Sequence, residues 1–454
     1  MRKIDSMRQY ALENLKRFGI TPMRRVLSPE LFQAAQPNLM RLSAMLIPEV
    51  VFWLMATVSL AQKSMAASIS AFWADFRGAM PFLCPTPITE EAFCTARKRL
   101  KLRFFRNVFR LVIQRYQDNS LADRYRWKGF RLVGIDGMKM TFPLSAKLKK
   151  YFPPASNSKG DCRFAQGQLV GLVGLWDGIC YDFKLVSGKG DEQKCAHKLI
   201  ERSLGKGDLL MCDRNFPAYY TLALILSRKA DYLFHLPSNR FHKLARIKTA
   251  SGRDDEWYIV LRLPKKLQKQ FPALPAEYAA RVIRYKCKGF RPSFLITSLL
   301  DTNIYGYEEI VELYHHRWRQ ETIHREWKYS LSMSNLRSKT PAGIFKEVYV
   351  QLTINNVLRW LMSDAAQLSD CRPVDLKFLE CKRLLMSYVC VMSTAAAELL
   401  PDIYKALIKD LSGQKILVRP GRSYRRKYDN KVRYKGKGKY ALPARILEKE
   451  RAVA

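Results

Sequence analysis

Residues 168–188 read QLVGLVGLWDGICYDFKLVSG, two apolar runs on either side of Asp177–Gly178. An Asp-Gly pair between apolar runs is typical of a tight hairpin turn, so the stretch predicts two adjacent antiparallel strands. Short apolar runs bounded by Gly, Asp or Pro are typical of strands buried in a sheet. The stretch therefore predicts a buried sheet at the centre of the fold.

Similar apolar runs lie on both sides of this hairpin. RLVGID (131–136) precedes it, and DLLMCD (208–213) and YLFHLP (232–237) follow it. Two helical segments, CAHKLIERSL and PAYYTLALILSRK, alternate with the later runs. Three strands followed by helix, strand, helix and strand is the order of an α/β domain.

The α/β pattern is interrupted once. Residues 239–301 contain three further strand-like runs between loops rich in Lys, Pro and Arg, and we interpret them as a β-rich insertion. The α/β domain then comprises residues 131–238 and 302–370, and its second part has long helices at about 307–336 and 344–362.

The two ends of the chain differ from this middle part. Residues 1–130 predict a helical N-terminal DNA-binding domain, because the basic amphipathic segment 87–116 is suited to a DNA backbone. Residues 371–454 predict a C-terminal helical region and a basic tail. Within 415–454 there are fourteen Lys and Arg against three Asp and Glu, a composition typical of a polyanion-binding arm.

The charge of the whole chain narrows the class of partner. Its 79 Lys and Arg against 40 Asp and Glu leave a formal net charge of +39, which points to nucleic acid first and to an anionic membrane surface second. The longest apolar stretch, residues 50–61, is shorter than the ~20 residues of a spanning helix. Ten cysteines without a CxxC pair favour a reducing compartment. We therefore expect a cytoplasmic, DNA-associated protein without a membrane partner.

Two aspartates follow apolar runs of the α/β domain, Asp136 after RLVGI and Asp213 after DLLMC. A carboxylate at the C-terminal end of a strand lies at the edge where α/β folds bind their ligands. If the two strands are neighbours, both carboxylates lie together. The alternative for Asp136–Gly137 is a simple hairpin turn.

The helix predicted at 307–336 contains a third acidic candidate. Tyr314, Arg317, Glu321 and Lys328 fall within a sector of roughly 60° on a regular helix, whereas Glu326 points about 140° away from Glu321. This spacing favours Glu321 as the functional carboxylate. A solvent-exposed helix face with an ordinary Arg–Glu pair is the alternative.

Three clustered carboxylates would repel one another unless cations neutralised them. Two Mg²⁺ ions about 3.5–4 Å apart would do so, with Mn²⁺ as a possible substitute, and such a pair catalyses in-line phosphoryl displacement. Arg317 and Lys328 would then hold a DNA strand by its phosphates. The predicted metal ligands and catalytic residues are Asp136, Asp213 and Glu321.

Two aspartates followed by Y-(2)-R-(3)-E-(6)-K resemble the DDE transposases of bacterial insertion sequences, in particular the insertion-element-four family. GIDG (134–137), DRNF (213–216) and FHLPSN (234–239) are also similar to motifs of that family, and the resemblance covers roughly residues 130–340. One departure is Met138–Lys139, where the family usually has Thr or Ser after its first Asp-Gly.

The resemblance implies a ribonuclease H-like catalytic core split by the β-rich insertion. It implies cut-and-paste transposition by a homodimer that pairs two transposon ends: 3′ nicking, hairpin formation, hairpin opening and joining to target DNA. Tyr314, Arg317 and Lys328 would contact DNA phosphates near the cleaved end, with Arg214 as an accessory contact. Trp257 is the candidate platform for a base turned out of the duplex, although an ordinary packing role on a strand is commoner.

Three other functions stay open from the residues. The first is a relative that binds the inverted repeats as a regulator without cutting. The second is another ribonuclease H-like nuclease such as a junction resolvase, and the third is a basic RNA-associated protein. Each would explain part of the pattern. We expect Asp191 and Glu192, after a Gly-rich turn, to be exposed and not to be ligands. We expect the histidines at 315, 316 and 324 to lie on the helix surface or contact DNA.

Overall fold

The computed structural model describes residues 27, 29–35, 46, 48–60, 64–79, 88–154, 162–241, 246–249, 252–286, 292–395 and 397–417. All the helices and strands below lie within residues 1–415, which form one compact unit. The predicted basic tail, apart from residues 415–417, lies outside the described residues, as does most of the chain before residue 46.

Helices precede the first strand in the described part of the chain, as the sequence predicts. They are α1 (Pro29–Ala35), α2 (Pro48–Leu60), α3 (Met65–Ala79), α4 (Glu90–Arg99), α5 (Leu102–Gln117) and α6 (Ser120–Arg124). Thr89 caps α4 by accepting a hydrogen bond from the backbone N–H of Ala92, and α4 ends at Arg99, with Leu100 as its C-cap. The basic segment 87–116 therefore contains two helices where the sequence predicts one.

The strands belong to a single mixed sheet. They are β1 (Arg131–Thr141), β2 (Gln166–Gly174), β3 (Cys180–Ser187), β4 (Asp208–Cys212), β5 (Asp231–Leu236), β6 (Arg246–Thr249), β7 (Glu256–Arg262), β8 (Glu277–Tyr285) and β9 (Ser293–Thr297). Their order across the sheet is β3-β2-β1-β4-β5-β9-β8-β7-β6. β1, β4 and β5 are parallel, and all other paired neighbours are antiparallel. The predicted mixed α/β class is confirmed.

The strands predicted as an insertion extend this same sheet. β9 pairs with β5 in an antiparallel register that includes Leu233↔Thr297, and β8, β7 and β6 continue outward from it. The three predicted runs correspond to β7, β8 and β9, while β6 is an additional strand. Shared backbone hydrogen bonds therefore join β6, β7, β8 and β9 to the strands around Asp136 and Asp213.

Short helices connect the strands. They are α7 (Ala146–Tyr151), α8 (Glu192–Ser203), α9 (Tyr219–Ser227), α10 (Ser238–Phe241) and α11 (Lys265–Gln270). The predicted turn at Asp177–Gly178 lies between β2 and β3, and Gly178 has the positive φ of +75° that favours glycine. The connection comprises residues 175–179, so it is longer than the two-residue turn that the sequence suggests.

The predicted long helix at 307–336 is broken into shorter pieces. These are α12 (Tyr307–His315), α13 (Trp318–Arg325), a π-helical turn (Glu326–Ser330) and a 3₁₀ turn (Met333–Asn335). The backbone N–H groups of His316 and Arg317 bond to Leu313 and Tyr314, three residues back, which tightens the chain and separates α12 from α13. The prediction of one continuous helix was wrong.

A long buried helix, α14 (Pro341–Leu368), holds the layers together. Asn356 on α14 accepts from the backbone N–H of Cys180 at 2.8 Å and donates to its carbonyl at 2.9 Å, so the helix is pinned to β3. Asn355 accepts from the Trp327 indole at 3.0 Å, which ties the π-helical turn to the same helix. Two further helices follow, α15 (Phe378–Thr394) and α16 (Leu400–Ser412). None of the described helices is both long and apolar enough to cross a membrane.

Candidate active site

The parallel pairing of β1 and β4 aligns the two predicted aspartates. Gly134 is the partner of Met211 in this pairing, and Asp136 and Asp213 each lie two residues further along. Asp213 directly follows β4, as predicted. Asp136 lies inside β1, because β1 continues to Thr141 against β2, with Asp136 opposite Gly171. The expectation that Asp136 ends its strand was wrong, and so is the turn interpretation of Asp136–Gly137.

Asp136 lies in an environment that disfavours its negative charge. Its side chain is 33% exposed, and its Oδ1 accepts from the backbone N–H of Gly137 at 2.8 Å. Burial, together with the carboxylates of Glu192 and Asp213, raises the pKa of Asp136 to about 6, although the hydrogen bond from Gly137 and the charge of Arg317 oppose this rise. The nearest imidazole nitrogen, Nδ1 of His324, is 4.0 Å from Oδ2. A bound cation would relieve this repulsion.

The DRNF motif forms a compact turn that presents Asp213. The backbone N–H of Asn215 donates to Oδ1 of Asp213 at 2.9 Å, and the side-chain amide of Asn215 donates to Oδ2 at 3.2 Å. Phe216 is buried in the core and anchors the turn, while Arg214 is exposed beside it. The motif thus combines one packing residue with an acidic and a basic side chain near the surface.

Helix α13, which carries Glu321, lies across β1 and β2. Gln320 donates to the carbonyl of Gly171 at 3.3 Å, and a Cβ at Gly134 would lie 2.2 Å from the Gln320 amide oxygen. Glycine at 134 therefore permits the close approach of helix and strand. One turn along, Nη2 of Arg317 is 3.5 Å from Oε1 of Glu321, whose side chain is 41% exposed. Because the charge of Arg317 also acts on Asp136, this guanidinium lies near both Glu321 and Asp136.

Three residues of the Y-R-E-K pattern lie next to one another, since the Arg317 guanidinium is 5.9 Å from the ring of Tyr314 and 3.5 Å from the carboxylate of Glu321. Tyr314 is buried, and its hydroxyl donates to the carbonyl of Cys212 at 3.3 Å, one residue before Asp213. Burial raises its pKa. Lys328 lies in the π-helical turn, half-buried, with its ammonium 5.9 Å from the ring of Tyr329. The predicted row is therefore present from Tyr314 to Glu321, whereas Lys328 lies in the π-helical turn, where regular α-helical spacing no longer holds.

Glu326 has a structural role that separates it from Glu321. It forms a buried ion pair with Arg359 of α14, and that guanidinium also bonds to the carbonyl of Pro373 at 3.3 Å and lies 4.6 Å from the ring of Phe378. The carboxylate thus faces α14 and not the edge of the sheet. The choice of Glu321 over Glu326 from helix geometry agrees with this placement.

Two other residues at the site were not expected from the sequence. Glu192 is half-buried in the first turn of α8, and its carboxylate lies so close to β1 that a Cβ at Gly137 would be 2.6 Å from Oε1. His324 is buried beside Asp136 and not on the helix surface. The expectations that Glu192 and His324 would lie at the surface were wrong. The i, i+3 spacing from Glu321 to His324 was the only sequence signal for the histidine.

Two tryptophans differ in their access to a DNA base. Trp257 is only 9% exposed on β7 and belongs to the hydrophobic core, which favours the packing role over the platform role. Trp318, at the start of α13, is 53% exposed, and its ring lies 5.2 Å from the guanidinium of Arg317. Trp318 is therefore an exposed aromatic ring next to Arg317.

The donor set fits a hard divalent cation, although the cage is open. Carboxylate oxygens are the ligands that Mg²⁺ prefers, and the pKa of Asp136 is raised by burial and by the carboxylates of Glu192 and Asp213. Within the described residues, no three acidic, cysteine or histidine side chains converge closely enough to enclose an ion by themselves. An open arrangement suits Mg²⁺, which is usually held by one or two carboxylates, waters and substrate phosphates.

Carboxylates at the C-terminal edge of parallel strands, with cationic side chains beside them, define a metal-dependent phosphoryl-transfer enzyme. Residues 127–357 match the family described as Transposase DDE domain, and the chain belongs to that family. It is 25% identical over 410 residues to the Escherichia coli transposase InsG for insertion sequence element IS4, a match that covers 88% of this chain and 89% of that protein. The resemblance seen in the sequence is thereby confirmed, and the chain is a DNA transposase, a metal-dependent nuclease and strand transferase.

One solved structure with similarity is the piggyBac transposase, determined as a synaptic complex with hairpin DNA. The likeness has a TM-score of 0.42 and 11% sequence identity, and it covers 95% of this chain and 92% of that chain.

Proposed function

We propose that this transposase moves an insertion sequence by cut-and-paste transposition at terminal inverted repeats. The steps are 3′ nicking, hairpin formation, hairpin opening and strand transfer to target DNA. The observation that carries the proposal is the parallel pairing of β1 and β4, which aligns Asp136 and Asp213 at the edge crossed by the helix of Glu321. DNA binding alone gives no reason to gather carboxylates at that edge.

Asp136, Asp213 and Glu321 are the proposed metal ligands, for two Mg²⁺ ions or for Mn²⁺ in their place. When bound, divalent ions at such a site lower the pKa of the attacking water or 3′-hydroxyl and offset charge on the leaving oxygen. The protein supplies the alignment, because strand pairing and the Gly134–Gln320 contact fix the backbones that carry these side chains. Glu192, against Gly137, adds a fourth carboxylate to the same acidic edge.

The cationic residues are suited to holding DNA. Arg214 is exposed beside Asp213, and Lys328 follows α13, so both can take phosphate oxygens of the strand in the site. Arg317 keeps Glu321 in place and can also bind a phosphate. Tyr314 would act near the cleaved end mainly by holding the end of β4, because its hydroxyl already bonds to Cys212. Trp257 stays a candidate platform only if β7 rearranges.

The remaining organisation is also part of the proposal. The order β3-β2-β1-β4-β5, with β1, β4 and β5 parallel, supports a ribonuclease H-like core that continues into the inserted strands. We propose a homodimer in the complex that pairs two transposon ends, and a cytoplasmic location in a bacterium. The domain boundaries at 130, 238, 301 and 370 are proposed on the sequence pattern.

The proposed function is tested by the DNA that surrounds the gene and by a cleavage assay. We expect short inverted repeats that bracket the gene, with a direct duplication outside them. Purified protein should release Mg²⁺-dependent double-strand breaks at those repeats, with a hairpin intermediate. Binding to the repeats without any cleavage would show a non-cutting regulator instead, and cleavage of branched junctions regardless of end sequence would show a resolvase.

Asp136→Asn is expected to stabilise the metal-free protein at neutral pH. The folded-state pKa of Asp136, about 6, lies above the ordinary value of an aspartate, so the folded state binds more protons and loses stability as pH rises through this window. The side-chain amide of asparagine cannot ionise, so the variant does not lose stability at this position as pH rises. In chelator, the melting temperature of the variant should exceed that of the wild type at pH 8, and the difference should disappear near pH 4.

Glu192→Gln extends the same measurement to the fourth carboxylate. In chelator, this variant should also melt at a higher temperature than the wild type. When Mg²⁺ or Mn²⁺ is added, the melting temperature of both variants should increase less than that of the wild type, because the increase depends on how tightly the folded state binds the metal. Glu201→Gln, at an exposed position of the same helix, is the control and should leave both values unchanged. A full metal-induced shift in Glu192→Gln would exclude Glu192 from the site.

A further inference from the structure

A second concave surface lies at the opposite edge of the parallel strands. It consists of two adjoining cavities of about 310 and 490 Å³ that share Gln117, Tyr181 and Arg202. We call it the basic groove and define it by Arg106, Arg110, Gln114, Gln117, Arg126 and Lys206, which line it. Helix α5 forms one wall, and the end of α8 with the start of β4 forms the other.

The basic groove is remote from the acidic edge. Arg131 and Asp208, the first residues of β1 and β4, line the groove, whereas Asp136 and Asp213 lie toward the other ends of these strands. Five residues of extended strand separate Arg131 from Asp136, about 17 Å at 3.3 Å per residue. The two surfaces lie at opposite ends of the parallel strands, so one phosphate group cannot contact both.

The acidic side chains of the groove are already neutralised. Arg202 binds both oxygens of Asp182 at 2.7 Å, and Arg131 binds both oxygens of Asp208 at 2.7 and 2.8 Å. Bidentate pairs of this kind are strong and leave little negative potential to repel an anion.

Of the other cationic side chains of the groove, Arg126 is paired with Asp123 at 2.9 Å, and three are free to bind an anion. Arg106, Arg110 and Lys206 are exposed and take part in no ion pair within the part of the chain that the structure describes. Arg106, Arg110, Gln114 and Gln117 fall within a sector of about 80° on α5, so their donors line one wall in a row. The ends of β1 and β4 and helix α5 together present several hydrogen-bond donors, and the carboxylates Asp182 and Asp208 are both paired with arginines.

Such a row fits a phosphate backbone. Duplex DNA carries one negative charge per ~1.7 Å of helix axis, and most protein contacts to its phosphates come from Arg, Lys and side-chain amides. A small-molecule site would be mostly apolar and enclosed. The groove lining is instead dominated by charged and polar side chains. The chain also carries a net charge of +39, and one DNA strand bound at the active site would neutralise only a small part of it.

We propose that the basic groove binds the phosphate backbone of a DNA segment other than the one held at the acidic edge. The inference rests on the proposed function, because that function places DNA ends at Asp136 and Asp213. The second segment is duplex DNA beyond the cut end, and its recognition is independent of base sequence, since no groove residue needs to reach a base edge.

The test is a triple variant, Arg106→Ala with Arg110→Ala and Lys206→Ala, compared with Lys377→Ala, Lys405→Ala and Lys409→Ala together. The control removes the same charge from exposed positions on α15 and α16 or their start. Binding to a short end duplex and to a longer duplex is measured over a range of salt. For the long duplex, the groove variant should lose about tenfold or more in affinity, and its salt slope should fall by about 2 to 3. Nicking of the short duplex at saturating protein should persist.

The outcomes separate this inference from the proposed function. Equal loss in the groove and control variants, an unchanged salt slope, or a loss confined to single-stranded RNA would overturn the groove. Wild-type protein that binds the long duplex through the groove but never cuts would overturn the proposed function and support the groove. Unaltered melting temperatures of both triple variants exclude an effect through folding.

Discussion

Glu321→Gln is expected to abolish nicking at the transposon end while the protein still binds that end. Glutamine keeps the size of the side chain and its contact with Arg317, but it removes the negative charge that a divalent ion needs. Loss of one acidic ligand from a two-metal site should lower the nicking rate by about 10³-fold or more. Single-turnover cleavage of an end duplex measures the rate, and a gel-shift titration measures binding.

The matched control for this prediction is Glu312→Gln. Glu312 is an exposed glutamate on the neighbouring helix α12, and its replacement changes the net charge by the same amount. It should nick at the wild-type rate. If Glu321→Gln kept its nicking rate, or if it lost end binding as well, Glu321 would not be a metal ligand whose role is confined to the chemical step.

Arg359→Met is expected to lower the free energy of unfolding by about 3–5 kcal/mol, because it leaves the buried carboxylate of Glu326 without its cation. The same change removes the guanidinium that lies 4.6 Å from Phe378 and bonds to Pro373. Since this cluster joins the π-helical turn to α14, the lower stability should affect the unfolding of the whole compact unit and not only this turn. Urea unfolding followed by tryptophan fluorescence measures it.

The double variant Arg359→Met with Glu326→Gln distinguishes an unpaired charge from lost packing. Removing both charges eliminates the uncompensated carboxylate, so the double variant should recover part of the lost stability. Per folded molecule, Glu326→Gln alone should nick at nearly the wild-type rate, in contrast to Glu321→Gln. A nicking defect as large as that of Glu321→Gln would show that Glu326, and not its neighbour, serves the chemistry.

Sequence reasoning succeeded where the signal is local. The apolar runs around Asp213 predict a strand that ends at the aspartate, because a buried strand needs consecutive apolar residues and a polar side chain ends the run. It failed for Asp136, since Gly137 and Met138 continue β1 by pairing with β2, and an Asp-Gly pair has the same composition in a turn. Pairing with a distant strand decides between those two conformations.

Helix geometry separated Glu321 from Glu326, although the helix is not regular along its whole length. The angle between Glu321 and Glu326 on a regular helix predicts that they face different ways, and they do. The predicted row from Tyr314 to Lys328 assumes an unbroken helix. The tight turn at His316 and Arg317 and the π-helical turn at 326–330 violate that assumption.

The sequence by itself determined the α/β class, the acidic and basic motifs and the kind of reaction, because strand periodicity, residue chemistry and spacing are properties of short segments. Tertiary structure alone decided that Glu192 lies against Gly137, that His324 is buried beside Asp136 and that the basic groove opens at the far edge. These contacts join residues far apart in the chain, and their formation depends on the packing of whole helices against the sheet. Packing of that kind has no local periodicity from which it can be read.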